Sequence, residues 1–88
     1  MAKTLGIIEG NSYVAVLTAA DRATKAADIH VMRYERIGEH DVAVVIDGDT
    51  ADVQIALHAA AQDGTTGGVT TAILTNTRLR GAFGLPRL

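Results

Sequence analysis

Apolar and polar positions along the chain follow two different periods. Short runs that are apolar or rich in β-branched residues predict four strands, at residues 4–9, 29–37, 42–48 and 69–75. Between them, two stretches repeat apolar residues every three or four positions, which is the spacing of one face of a helix. The predicted order is therefore strand, helix, strand, strand, helix, strand.

Both predicted helices have a recognisable start and a stripe of small apolar residues. The first covers residues 13–27, is capped by Asn11 or Ser12, and is expected to bury Val16, Leu17, Ala20, Ala23 and Ala27. The second follows Asp49 as N-cap, carries Asp52 near the positive end of its dipole, and ends at Gly64. Its expected buried stripe is Val53, Ala56, Leu57, Ala60 and Ala61.

This order of elements predicts an α+β fold. A short hairpin joins the two central strands, and the whole pattern is that of a ferredoxin-like split βαβ variant. Right-handed crossovers then place the two main helices on one face of a four-stranded antiparallel sheet. Such a fold hosts many unrelated functions, so the fold alone predicts none.

Composition indicates one domain with a thin core. We expect a single domain over residues 1–88, with its core at about 4–75 and a C-terminal tail at 76–88. The hydrophobic share is 48%, but the chain has one Phe, two Tyr and no Trp, so its core side chains are small. Self-association is therefore a plausible further source of stability.

Charge and cysteine content exclude several classes of partner. With no cysteine, the chain has neither disulfides nor thiolate metal sites, and a net charge of −2 gives no basic footprint for nucleic acid. No run approaches the roughly 20 apolar residues of a membrane span, and the start lacks a signal peptide's apolar region. We expect no nucleic-acid partner, no membrane and a cytoplasmic location.

The hairpin between the two central strands is the one candidate for chemistry. After Gly38 it places Glu39, His40 and Asp41 in succession, where a tight hairpin usually has Asn-Gly or Asp-Gly. No nucleophile or known catalytic motif accompanies them, so we expect no enzyme, no catalytic residue and no cofactor. His30 and His58 lack a second ligand at metal-binding spacing, and no metal site is predicted.

Several motifs, in their order and spacing, resemble those of a known family. The motifs are Gly6–Glu9, Ala19–Asp21, Lys25–Ala27, Arg36–Gly38 and the Gly48–Asp49 pair before an alanine-rich helix. Over residues 4–75 the chain resembles a bacterial microcompartment shell domain of the single-domain, hexamer-forming type. That family has a permuted or related variant of the ferredoxin-like arrangement, which agrees with the topology predicted above.

The resemblance implies a structural protein that works in many copies. It implies a homo-hexamer shaped as a flat tile, and tiles that pack edge to edge into the shell of a microcompartment in the bacterial cytoplasm. Neighbouring hexamers, other shell proteins, encapsulated enzymes and small solutes are the implied partners.

The resemblance also assigns the hairpin to the central pore of the tile. Gly38, Glu39, His40 and Asp41 are then pore-lining, although the family often has only small residues there. Six copies of a loop with two carboxylates predict a preference for cationic or neutral polar solutes over anions. In the alternative, the three side chains point onto the tile face and are simply solvated.

A second implied site lies at the junction between hexamers. Lys25 and Asp28 match the family's edge lysine and its polar partner, and Arg78 is our choice for the edge arginine, with Arg80 as the alternative. In the plain alternative, Lys25 and Asp28 are an exposed helix end, where Lys25 complements the helix dipole.

Two other classes of function remain open on the sequence. A small oligomeric effector-binding signalling protein of the PII type shares the topology, but it usually has a longer loop between its central strands. A small enzyme that uses His40 is the third option. Assembly state separates them, since a stable nucleotide-binding trimer contradicts the shell tile.

Overall fold

The computed structural model of the protein describes residues 4–39, 41–62 and 69–74. The six elements in chain order are β1 (Thr4–Gly10), α1 (Tyr13–Ala26), β2 (His30–Arg36), β3 (Val42–Gly48), α2 (Thr50–Ala61) and β4 (Val69–Leu74). The order of elements is the predicted one, and no strand end differs from its predicted position by more than one residue. Gly64, the predicted end of the second helix, lies outside the described residues.

The four strands form one antiparallel sheet in the order β2-β3-β1-β4. The predicted ferredoxin-like split βαβ arrangement is confirmed. The two central strands are β1 and β3, while β2 and β4 form the edges. Every residue of β3 is buried, and the apolar run at residues 42–46 predicts this for a strand covered on both faces. The strand also buries one charged residue, Asp47.

Both helices pack on the same face of the sheet. The core there combines Ile8, Val42, Val44 and Ile46 of the central strands with Val16, Ala20 and Ala23 of α1 and Val53, Ala56 and Leu57 of α2. Alanine on the helices permits close packing, and Gly6 permits it on β1. A Cβ at Gly6 would lie 3.0 Å from the Val53 side chain and 3.1 Å from the Leu57 side chain, so even a methyl group there would crowd α2.

The opposite face of the sheet also buries apolar side chains. Leu5, Ile7, Ala43 and Val45 form a second cluster there, each at most 6% exposed. Side chains alternate between the two faces along a strand, so β1 and β3 supply both clusters from interleaved positions.

The two helices begin differently. The Ser12 Oγ accepts a hydrogen bond from the Ala15 N–H at 3.2 Å, which confirms Ser12 as the cap of α1. Asp49 occupies the N-cap position of α2, but among the described residues its side chain makes no capping hydrogen bond. Asp52, in the first turn of α2, still places negative charge near the positive end of the helix dipole.

The predicted buried stripes were wrong at two positions. Leu17 of α1 is 40% exposed, and Ala15 and Ala19 are buried in its place. Periodicity favours the larger apolar residue, but α1 turns its alanines toward α2 and the sheet, and leaves Leu17 beside the free edge at β2. On α2, Ala61 is exposed because it is the last residue of the helix, and the stripe ends at Ala60.

Candidate functional site

The loop between β2 and β3 is a closed turn with an exposed tip. The Ile37 N–H donates a hydrogen bond to the Asp41 carbonyl oxygen at 2.8 Å, which closes residues 37–41 into a compact loop. Gly38, Glu39 and Asp41 are all exposed. His40 lies outside the described residues. The carboxylate of Asp41 leans back over the turn, 4.0 Å from where a Cβ of Gly38 would lie.

A polar cavity of about 230 Å³ lies beside this loop. Its lining residues come from the ends of β1 and β3 and from β4: Glu9, Gly10, Asn11, Asp41 and Thr70. The Thr70 hydroxyl donates a hydrogen bond to the Glu9 Oε1 at 3.5 Å. Among the described lining residues there are two carboxylates and no cation, so this side of the loop is acidic.

The predicted edge residues lie at the other end of the domain. Strand β2 begins beside these residues and ends at the loop, and its seven residues span about 20 Å. The Lys25 Nζ is 2.9 Å from the Asp21 Oδ2, one helical turn earlier, and both side chains are mostly exposed. Asp28 is also exposed. Lys25 and Asp28 both lie at this end of α1, and Arg78 and its alternative Arg80 lie outside the described residues.

A histidine–carboxylate contact at this end was missed by the sequence analysis. His30 of β2 lies opposite Asp47 of β3, and the His30 Nδ1 is 3.5 Å from the Asp47 Oδ1. Asp47 is 7% exposed, whereas the His30 side chain is mostly exposed. The two residues are 17 positions apart, and only the strand register joins them. Within the described residues no group of three candidate ligands could hold a metal ion.

An apolar groove runs between α1 and the edge strand β2. It encloses about 340 Å³, and its lining includes Tyr13 and Leu17 of α1 and Val31 and Tyr34 of β2. The two tyrosine rings meet edge to face, with their centroids 5.4 Å apart. Partial desolvation and the neighbouring Tyr13 hydroxyl raise the pKa of the Tyr34 phenol above its ordinary value of 10.0. The sequence analysis missed this groove because it placed Leu17 in the core.

Fold and site together define a class of protein. It is a small α+β domain whose exposed features are a carboxylate-bearing loop, a charged helix end and an apolar edge, which are features of a binding or assembly module. Among its described helices none is long and apolar enough to cross a membrane.

The particular family follows from comparison with known proteins. The model of the BMC domain family matches residues 4–77, and the chain belongs to that family. The resemblance noted on the sequence is thereby confirmed.

Its relatives are named as shell proteins. The chain is 38% identical over 63 residues to the carboxysome shell protein CcmK1 of Thermosynechococcus vestitus, an alignment that covers 72% of this chain and 56% of the relative. It is 36% identical over 59 residues to the bacterial microcompartment shell protein PduA of Salmonella typhimurium, covering 67% of this chain and 63% of PduA. The chain thus spans little more than half the length of these relatives. None of the names favours a PII-like signalling protein.

A solved structure shows the same fold. A microcompartment protein from Desulfitobacterium hafniense superposes with a TM-score of 0.75 at 26% identity. The match covers all of this chain and 51% of the other.

Proposed function

We propose that this chain is a structural shell protein of a bacterial microcompartment and not an enzyme. The observation that carries the proposal is the BMC domain match over residues 4–77, together with relatives that are named carboxysome and microcompartment shell proteins. The dimensions of the chain, 35 × 28 × 15 Å, suit a tile that is thin in one direction. In this proposal the chain works in the bacterial cytoplasm, within a shell.

The proposed tile is a ring of six copies whose loops at residues 37–41 surround a central pore. The loop suits this role because it is closed by its own hydrogen bond and presents Gly38 and Glu39 at an exposed tip. Six copies of the exposed Glu39 carboxylate would give the proposed pore a negative potential.

The carboxylates give the proposed pore its selectivity. Glu39 is exposed at the tip, while Asp41 lines the acidic cavity that it shares with Glu9. Negative potential concentrates cations and excludes anions at a narrow opening. We therefore propose that the pore passes neutral polar or cationic small molecules in preference to anions, with His40 and Gly38 completing its lining.

The proposed contact between tiles uses the far end of α1. Lys25 and Asp28 lie there, at the opposite end of β2 from the loop, which is the periphery of a ring centred on the loop. The mostly exposed Lys25 side chain is within reach of a neighbouring tile once it leaves Asp21. Arg78 is the proposed third member, and the partners are neighbouring hexamers, other shell proteins and enzymes enclosed by the shell.

Electron microscopy of cells that overproduce the chain tests the proposal. Tiles that pack edge to edge should form sheets, tubes or closed bodies. Lys25→Ala should abolish them, because it removes the charged edge contact. The matched control, Gln54→Ala, changes an exposed position on α2 and should leave the assemblies intact. One result would contradict the proposal: the unaltered chain forms no assemblies at high concentration and is instead a trimer that binds a nucleotide.

A further inference from the structure

We infer that residues 75–88, the segment that follows β4, fold back over the sheet face opposite the helices and form a second core with it. We call this surface the strand face and define it by Leu5, Ile7, Ala43 and Val45. The inference concerns each copy of the chain by itself, so it goes beyond the proposed shell function and does not depend on the ring.

The strand face is buried although no described element lies over it. Val45 is 1% exposed and Ala43 is 0% exposed. The cluster has members from β1 and β3 alone, while both helices contribute to the core on the other face. The described strands all lie within the one sheet. Side chains on an open face of a sheet remain in water, so another part of the chain must cover these.

The cover belongs to the same chain. These exposed fractions are those of one chain alone, so a second copy does not produce them. Outside the described residues lie 1–3, His40, 63–68 and 75–88. Residues 63–68 read DGTTGG and have no large apolar side chain, and residues 1–3 have Met1. The last segment is much richer, because it carries Leu79, Phe83, Leu85 and Leu88.

The segment starts beside the strand face. Leu74, the last residue of β4, pairs with Leu5, and β1 and β3 are the next two strands of the sheet. Neighbouring strands lie about 4.8 Å apart and an extended residue spans about 3.3–3.6 Å, so a few residues carry the chain over both strands. Ala72 of β4, opposite Ile7, is exposed. The cover therefore lies over β1 and β3 and leaves the edge strand β4 open.

Charge complementarity favours the same occupant. Asp47 lies opposite Leu5 on this face and is 7% exposed. At the other end of the face, Glu9 and Glu35 flank Ala43 from the two neighbouring strands. Opposite charges attract more strongly at a partly buried surface than in water. The segment has no acidic residue, and by crossing the face it brings two arginines to these carboxylates, Arg80 and Arg87.

The inference gives the segment one role and excludes another. A segment that completes a second core stabilises each copy before any assembly, which is valuable in a chain whose core side chains are small. The same segment is held against the sheet, so it is not a free arm for capturing another protein.

The first test uses Phe83, the one phenylalanine of the chain, as a probe. In NMR spectra of the full chain, nuclear Overhauser cross-peaks should join its ring protons to methyl groups of Leu5, Ile7 or Val45. The absence of cross-peaks to all of these methyl groups overturns the inference. Cross-peaks that arise only between differently labelled copies also overturn it, because a second copy then covers the face.

The second test measures the cover by thiol reactivity. The chain has no cysteine, and two fully buried alanines lie on opposite faces of the sheet, Ala43 on the strand face and Ala56 on α2. Ala43→Cys and Ala56→Cys each introduce one thiol for a maleimide reagent. Adding Phe83→Ser should speed the reaction of the Ala43→Cys thiol at least about 10-fold, since it weakens the cover, and that of the Ala56→Cys thiol less than about 2-fold.

The control thiol separates loss of the cover from general unfolding. No acceleration at Ala43→Cys overturns the inference. Equal acceleration at both thiols overturns it as well, because Phe83 then supports the whole domain and not the strand face. The NMR test uses the unaltered chain, so it remains decisive even if a variant does not fold. Failure of either test leaves the shell function standing, since that function is tested by assembly.

Discussion

Strands β2 and β3 have equal length and are hydrogen-bonded neighbours, yet their surroundings differ completely. All seven residues of β3 are buried, whereas six of the seven in β2 are exposed. Both strands carry β-branched residues, and Val31 on β2 pairs directly with Ile46 on β3. The difference arises from position: β3 lies between β1 and β2 beneath both helices, and β2 has a neighbour on one side only within the described sheet.

The contrast separates two uses of apolar surface. Residues of β3 stabilise the single chain, because folding alone removes them from water. Residues of β2 remain in water after folding, so their apolar surface contributes stability only when another molecule covers it. A chain with small core side chains gains most from such a second source of burial.

The largest expected effect on folding stability comes from replacing one of the paired residues Ile46 and Val31 with alanine. Ile46→Ala should lower the free energy of unfolding of the single chain by about 2–5 kcal/mol, since it leaves a cavity in the helix-side core. Val31→Ala, directly opposite, should cost less than about 1 kcal/mol, since that side chain is 49% exposed. Urea unfolding of dilute, dissociated protein measures both. Equal losses would show that the two strands do not differ in the single chain.

Replacing a glycine with alanine compares the buried sheet with the exposed loop at residues 37–41. Gly6→Ala should destabilise the chain by about 1–3 kcal/mol, because Val53 and Leu57 leave no space for a Cβ. Gly38→Ala should change stability by less than about 1 kcal/mol, since the nearest atom among the described residues is the Asp41 Oδ2, 4.0 Å from the added Cβ. Thermal unfolding of both variants measures the difference. A greater loss at Gly38 would contradict an open loop tip.

The cap of α1 affects the helix behind the groove without touching the groove itself. Ser12→Ala should cost about 1 kcal/mol of folding stability, because the Ala15 N–H loses its acceptor. Ser12→Asp keeps an acceptor and should restore most of that stability. Chemical denaturation measures both, and an alanine variant as stable as the aspartate variant would argue against the capping bond.

The smallest effect on folding and the most specific effect on function are expected at the tip. Glu39→Gln should change stability by less than about 0.5 kcal/mol, because the side chain is exposed. In sheets of tiles laid over a small aperture, the same change should lower the ratio of cation to anion permeability by removing the charged ring. The control, Gln54→Glu, adds a carboxylate on α2 and should leave the ratio unchanged. An unaltered ratio in Glu39→Gln would exclude Glu39 from the pore.

Most of the fold could be predicted because its signals are local. The uninterrupted apolar run of β3, the alanine stripes of the helices and the Ser12 cap each determine an element from neighbouring residues alone. The error at Leu17 has a different origin. Periodicity ranks side chains by apolar character, but which of them reaches the core depends on where α2 and the sheet lie.

The candidate site could be predicted only in part. The loop residues Gly38, Glu39 and Asp41 are distinctive in sequence because charged residues replace the usual turn residues, and the structure places them at an exposed tip. The contact between His30 and Asp47 and the groove beside Tyr34 depend on strand register and on which strand forms the edge. Neither follows from spacing along the chain, so neither could be found before the sheet was known.

The central claim is that this chain is one sixth of a tile, and the mass of the purified chain in solution tests it most directly. Native mass spectrometry, supported by sedimentation equilibrium, should give a particle of six chains of 9.2 kDa each. A particle of one or three chains at concentrations where the protein is abundant would contradict the account.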